Sequence, residues 1–306
     1  MSASSCRPLV SILGDSISTF AGCNPAGFDV FYEGQRCEAT GVTRREDTWW
    51  QILVDAIGGE LLANGSFSGS MVEGAGFPAA SSGERIAALS RDDKTPDIVV
   101  VFIGINDYGW GGTANQAAGR GRAVPDAALD CEPRIAQRAA ADAAECFEDA
   151  YGAMLAGIRE SYPEAQVWCC TLCPGRLLHS EAPTFIRRLR GVDFQLYNRS
   201  IRKQVESHGC KLIDFASFEL DYEALDGTHP TARGMRQLAA MAARAMSEQG
   251  ALDASVSDAL FQEAFAGTQM QSRDICEKPD CLECSFARAT GNTWSLVCEK
   301  ELAHIG

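Results

Sequence analysis

The chain has 306 residues, enough for one large α/β domain or a main domain with an appendage, and enough to bury a sizeable core. Its 27 Lys and Arg against 41 Asp and Glu leave a formal charge of −14, which repels phosphate backbones and anionic lipid surfaces, so nucleic acid is not expected as a partner. No apolar run reaches the roughly 20 residues that span a bilayer, and the opening Met1-Ser-Ala-Ser-Ser-Cys-Arg-Pro lacks a signal-peptide core; no membrane insertion and a cytoplasmic location are expected.

Five β-rich runs alternate with helical patterns, which predicts a parallel sheet covered by helices on both faces. Such a sheet places its chemistry on loops at the carboxyl ends of the strands. The first run, 9–13, leads into Gly14-Asp15-Ser16, where the glycine permits a sharp turn and the serine can offer Oγ above a helix N-terminus. Taken alone, the same tripeptide reads more often as an ordinary strand-to-helix turn capped by Asp15 or Ser16. The stretch 24–48 carries Phe28, Phe31 and Tyr32, with Trp49-Trp50 after it; these aromatics can form a wall near Ser16 or simply fill the core. A helix is predicted over 47–57 with Asp47 as its N-cap.

The second run, 60–63, is followed by Asn64-Gly65-Ser66-Phe67-Ser68-Gly69-Ser70, a bend able to aim the Gly69 amide at an oxyanion. The third run, 97–103, ends in Gly104-Ile105-Asn106-Asp107: Asn106 can donate its side-chain amide and Asp107 can cap or brace the loop, or the pair can close the strand as an Asx-turn. From Tyr108 to about Cys131 the sequence is Gly-rich and irregular, either a lid or substrate wall or an excursion without a role. Over 136–161 a helix is predicted, with Phe147, Tyr151, Met154, Leu155 and Ile158 recurring at core-facing spacing.

The fourth and fifth runs are 166–172, holding Cys169 and Cys170 as buried thiols, and 211–215. Then comes Asp226-Gly227-Thr228-His229-Pro230, before a last helix over 231–249. A carboxylate three residues ahead of a histidine can fold back onto the imidazole Nδ1–H and leave Nε2 to take a serine proton. His179, His208 and His304 lack comparable settings.

Each strand-end loop thus offers a different part for acyl transfer. In these four blocks the chain resembles the SGNH (GDSL-like) hydrolase family over about residues 7–248. The resemblance implies a three-layer α/β/α sandwich with a five-stranded parallel, flavodoxin-like sheet, and a serine esterase or acylhydrolase working through an acyl-enzyme. By it, Ser16 is the nucleophile, Asp226 and His229 complete the triad, and the Ser16 and Gly69 amides with the Asn106 side chain form the oxyanion hole. Asp15 and Asp107 support those groups. Gly-Asp-Ser-Ile-Ser lacks the leucine of the GDSL name, a departure in packing rather than chemistry. No cofactor is needed for this reaction. Small, soluble, short-acyl esters such as acetylated carbohydrates are the expected substrates. An acyltransferase using the same serine, or a silent SGNH-like binding protein, are the alternatives.

The hydrolase domain is placed at 1–250 and a Cys-rich appendage at 251–306. The odd total of 13 cysteines, without a leader, argues for reduced thiols over a disulfide framework. Cys276, Cys281, Cys284 and Cys298 have a C-x4-C-x2-C-x13-C spacing that can close a tetrahedral thiolate site, so a structural zinc is one reading of the tail. Free thiols, a disulfide pair and an iron–sulfur cluster are the others.

Overall fold

The computed structural model describes residues 7–113, 133–177, 188–189 and 192–266. The strands β1 (Leu9–Gly14), β2 (Glu60–Asn64), β3 (Ile98–Phe102), β4 (Gln166–Cys170) and β5 (Lys211–Ile213) form one parallel sheet in the order β2-β1-β3-β4-β5. All five predicted runs are strands of this sheet, which is the expected flavodoxin-like order. The chain steps from β1 outward to β2 and then crosses back to β3 on the other side of β1, so the crevice between the carboxyl ends of β1 and β3 is the topological switch point.

The central strand β3 reads Ile-Val-Val-Val-Phe, and Val99, Val100 and Val101 are all fully buried, as a parallel strand covered on both faces requires. On one side pack α2 (Trp49–Ala56), α7 (Ala232–Glu248) and α8 (Ala254–Phe265). On the other lie α3 (Gly83–Ala87), α5 (Pro133–Ser161) and α6 (Gln195–Ser207). Two short helices, α1 (Gln35–Thr40) and α4 (Ile105–Trp110), belong to the loops at the strand ends. In α5, Phe147, Tyr151, Met154, Leu155 and Ile158 are fully buried, as their spacing predicts.

The start of α2 differs from expectation. Thr48 is its N-cap, accepting from the Gln51 amide, while the Asp47 carboxylate turns back to take the amides of Thr43 and Arg44 in a preceding 3-10 turn. Once Asp47 is occupied in that turn, the extended backbone at Thr48 leaves its hydroxyl as the group that reaches the helix. At the other end of the domain, Thr231 caps α7 through the Gly234 amide, and Gly234 has no room for a side chain: a Cβ there would lie 1.9 Å from the Glu223 carbonyl oxygen.

Helix α8 lies inside the 251–306 segment yet packs on α7. Phe265 and Ala264 are buried, Arg244 pairs with Asp258 at 2.7 Å, and the Arg244 guanidinium sits over the Phe261 ring. The packed body therefore continues to Phe265. Cys169 and Cys170 are fully buried in β4, and the described cysteines are free thiols. Among the described residues, no helix is long and apolar enough to cross a membrane.

Candidate active site

Strand β1 ends at Gly14, and the chain turns at once. Asp15 caps the turn, its carboxylate accepting from the Ile17 amide at 3.0 Å. The element that follows, Ser16–Ser18, is one 3-10 turn rather than the α-helix expected beneath the serine. It is closed by the Thr19 hydroxyl donating to the Ser16 carbonyl at 2.9 Å, which ends the turn before a helix can propagate. Gly14 is dictated by space: a Cβ would lie 2.6 Å from Ser18 Oγ. Ser16 is itself buried, at 5% exposure.

The loop ahead of α7 brings His229 to this turn. Its Nε2 lies 2.9 Å from Ser16 Oγ, and its Nδ1 lies 2.7 Å from Asp226 Oδ2. Asp226 Oδ1 accepts from the amides of His229 and Thr228 at 2.8 and 3.0 Å, so the carboxylate is tied to the loop it orients. Burial pushes the Asp226 carboxyl up, but the charge and ring N–H of His229 and the two loop amides outweigh it and hold it down at about 2. Two buried tyrosines brace the loop: Tyr222 donates to the Thr228 carbonyl at 2.7 Å and Tyr32 to the Pro230 carbonyl at 2.9 Å.

The second and third loops meet each other. Gly69 has φ of +78°, a left-handed conformation that suits glycine, and the next residue is tethered: Asn106 Nδ2 donates to the Ser70 carbonyl at 2.9 Å. Asp107 is buried and takes the amides of Val72 and Glu73 at 2.9 to 3.0 Å, which fixes the segment beyond Gly69. Burial pushes the Asp107 carboxyl up to about 7 against the pull of those amides. Beginning at Gly69 is a cleft of about 360 Å³, lined by Ser70, Glu73, Phe77, Pro78 and Thr113 among others.

The aromatic stretch divides between its two readings. Trp49 and Trp50 are fully buried core residues, although Trp49 Nε1 donates to Ser18 Oγ at 3.2 Å. Phe28, Phe67 and Phe77 cluster with centroids 5.2 to 5.6 Å apart. Phe31 lies flat on the His229 imidazole, a contact that the aromatic content of 24–48 signals without assigning to one residue. Sequence reasoning missed Arg85 altogether. In a Gly-Glu-Arg-Ile stretch it reads as a solvated helix charge, yet it is fully buried and donates to the carbonyls of Gly14, Gly65 and Pro78.

His208 is engaged locally, its Nδ1 2.9 Å from the Gln204 carbonyl oxygen. The cysteines Cys276, Cys281, Cys284 and Cys298, the histidines His179 and His304, and residues 114–131 of the irregular stretch lie outside the described residues.

The family model for GDSL-like lipase/acylhydrolase matches residues 8–174. A solved structure from Bacteroides uniformis, described as a GDSL-like lipase, is 26% identical with a TM-score of 0.51, covering 79% of this chain and 96% of that one. Another of that description, from Bacteroides ovatus, is 21% identical with a TM-score of 0.49, covering 79% and 99%. A family two carbohydrate esterase from Clostridium thermocellum, in complex with cellohexaose, is 15% identical with a TM-score of 0.45, covering 80% and 65%. No curated protein matches the chain. The family match ends before Asp226 and His229, and it is the fold that returns them to the end of β1. With more than half of its length matched, and with the nucleophile-type turn and both glycine-bearing loops inside that match, the chain belongs to the GDSL-like lipase/acylhydrolase family.

Proposed function

We propose that the chain is a serine esterase that cleaves short-acyl esters through Ser16, His229 and Asp226. The observation that carries this reading is the unbroken hydrogen-bond series from Ser16 Oγ to His229 Nε2 at 2.9 Å and from Nδ1 to Asp226 at 2.7 Å. In this reading Ser16 attacks the ester carbonyl as its proton passes to Nε2. Asp226, ionised at neutral pH by virtue of its depressed pKa, holds the imidazolium in place. The leaving alcohol takes the proton back, and water, activated by the same imidazole, releases the acid from the acyl-enzyme.

Negative charge developing on the carbonyl oxygen is met by the amides of Ser16 and Gly69 and by Asn106. A primary amide carries two donor hydrogens, so tethering Ser70 and facing an oxyanion are compatible in one side chain. The cleft that begins at Gly69 is short and mixes backbone, a carboxylate and a phenyl ring, which suits a small acyl group on a polar alcohol such as a sugar better than a long lipid chain.

Steady-state hydrolysis of p-nitrophenyl acetate, octanoate and palmitate by wild type and Ser16→Ala tests the reading. Acetate is expected to be preferred, with turnover falling by several orders of magnitude in the variant. Equal turnover by Ser16→Ala, or a preference for palmitate, contradicts it.

A further inference from the structure

A guanidinium that is completely buried is costly, because taking an ion out of water carries a penalty of several kcal/mol that weak partners do not recover. Arg85 is such a group, at 0% exposure. Its hydrogen-bond acceptors are three neutral main-chain oxygens: Nη2 donates to Gly14 O at 2.7 Å, Nε to Gly65 O at 2.9 Å and Nη1 to Pro78 O at 2.5 Å, while the Asp15 carboxylate acts on it through charge. The rings of Phe28 and Phe67 each lie 5.9 Å from its Cζ and complete the enclosure. An apolar side chain of similar volume would avoid the buried charge but leave the carbonyls of Gly65 and Pro78 without this donor.

What the three oxygens have in common is their position. Gly14 closes β1 and stands two residues before Ser16; its carbonyl also accepts from the Phe67 amide at 3.1 Å. Gly65 follows β2 and opens the loop that carries Gly69. Pro78 lies in the segment that lines the cleft beyond Gly69. One rigid, planar group with five donors therefore joins the turn bearing the Ser16 amide to the loop bearing the Gly69 amide.

We propose that Arg85 is a positioning residue of the oxyanion hole, its guanidinium setting the spacing between the Ser16 and Gly69 amides through the carbonyls of Gly14, Gly65 and Pro78. The inference rests on the serine-esterase reading above. Its signature is selective: loosening the clamp displaces donors that act on the transition state, so kcat falls while ground-state binding is little affected. A displacement of about 1 Å at such donors costs up to about a hundredfold in rate.

Arg85→Lys keeps the charge but cannot reach three carbonyls with one planar fork. Its melting temperature and circular dichroism establish that it is folded; p-nitrophenyl acetate kinetics then give the result. A tenfold to hundredfold lower kcat with KM within threefold of wild type is expected, together with a matching loss of affinity for a trifluoromethyl ketone. A folded Arg85→Lys with kcat within twofold of wild type, or with the whole loss in KM, overturns the proposal.

If Arg85→Lys does not fold, the wild type decides. The Arg85 Nε–H resonance is expected to shift when a fluorophosphonate forms its tetrahedral adduct, and an unmoved resonance overturns the proposal. Failure of the underlying reading looks different, since wild type would then neither hydrolyse p-nitrophenyl acetate nor take the label at Ser16.

Discussion

The imidazole of His229 lies parallel to the ring of Phe31, with centroids 3.5 Å apart and planes inclined by 4°. Phe31 is itself anchored through the backbone. Its amide donates to Thr19 Oγ1 at 2.9 Å, next to the Ser16 turn, and the neighbouring Tyr32 is bonded to the Pro230 carbonyl. On Phe31 also rests the Arg36 guanidinium, 4.9 Å from the ring centroid. The imidazole is thus fixed by Asp226 at its edge and by a phenyl ring on its face. Aromatic contacts of this kind contribute about 0.5–1.5 kcal/mol beyond burial. Phe31→Ala is accordingly expected to lower kcat for p-nitrophenyl acetate by up to about tenfold. Kinetics indistinguishable from wild type would show that Asp226 alone suffices to hold the ring.

Replacing Asp226 has two consequences. Asp226→Asn keeps the shape but favours the wrong imidazole tautomer, so kcat is expected to fall by about 10³ to 10⁴. The second consequence concerns stability. A carboxyl held at about 2 in the folded chain, against 3.8 as its ordinary value, contributes stability that is complete above pH 4 and lost as pH falls through 2. The contribution is about 2 kcal/mol. Urea melts from pH 5 to pH 2 are expected to show a steeper loss in wild type than in Asp226→Asn; parallel curves contradict the depressed pKa.

Asp107 has the opposite sign. Its folded-state value of about 7 lies above the ordinary carboxyl value, so the proton it retains stabilises the folded chain below pH 4, and that stabilisation is lost as pH rises through 7. Asp107→Asn does not titrate. The stability gap between wild type and this variant is expected to be widest near pH 4 and to narrow by pH 8, as read by thermal melts across that range. A gap that stays constant from pH 5 to pH 8 would mean that the amides of Val72 and Glu73 keep Asp107 ionised throughout.

On the zinc reading of Cys276, Cys281, Cys284 and Cys298, we propose about one zinc per chain in protein purified without chelator, falling on Cys281→Ser/Cys284→Ser substitution. Elemental analysis that finds less than a stoichiometric metal in the unsubstituted chain removes the metal reading.

The strands and the contact between Asp226 and His229 were readable because short, self-contained signals fix them: β3 is a continuous apolar run, and Asp226 reaches His229 across only two residues. What was not readable depends on choices between neighbours or on distant partners. Asp47 and Thr48 are both good caps, and only the earlier turn that claims Asp47 decides between them. That Ser16 opens a 3-10 turn depends on the Thr19 hydroxyl, a local competition that periodicity does not register. Arg85 was invisible for a stronger reason. Two of its acceptors are 71 and 20 residues away in the chain, so nothing near position 85 distinguishes it from an exposed helix charge.

Whether Ser16 is a nucleophile activated by His229 is decided by fluorophosphonate labelling followed by peptide mass spectrometry. One covalent adduct on Ser16 is expected, formed by wild type and strongly slowed in His229→Ala. Absence of an adduct in the wild-type chain, or an adduct on another residue, would contradict it.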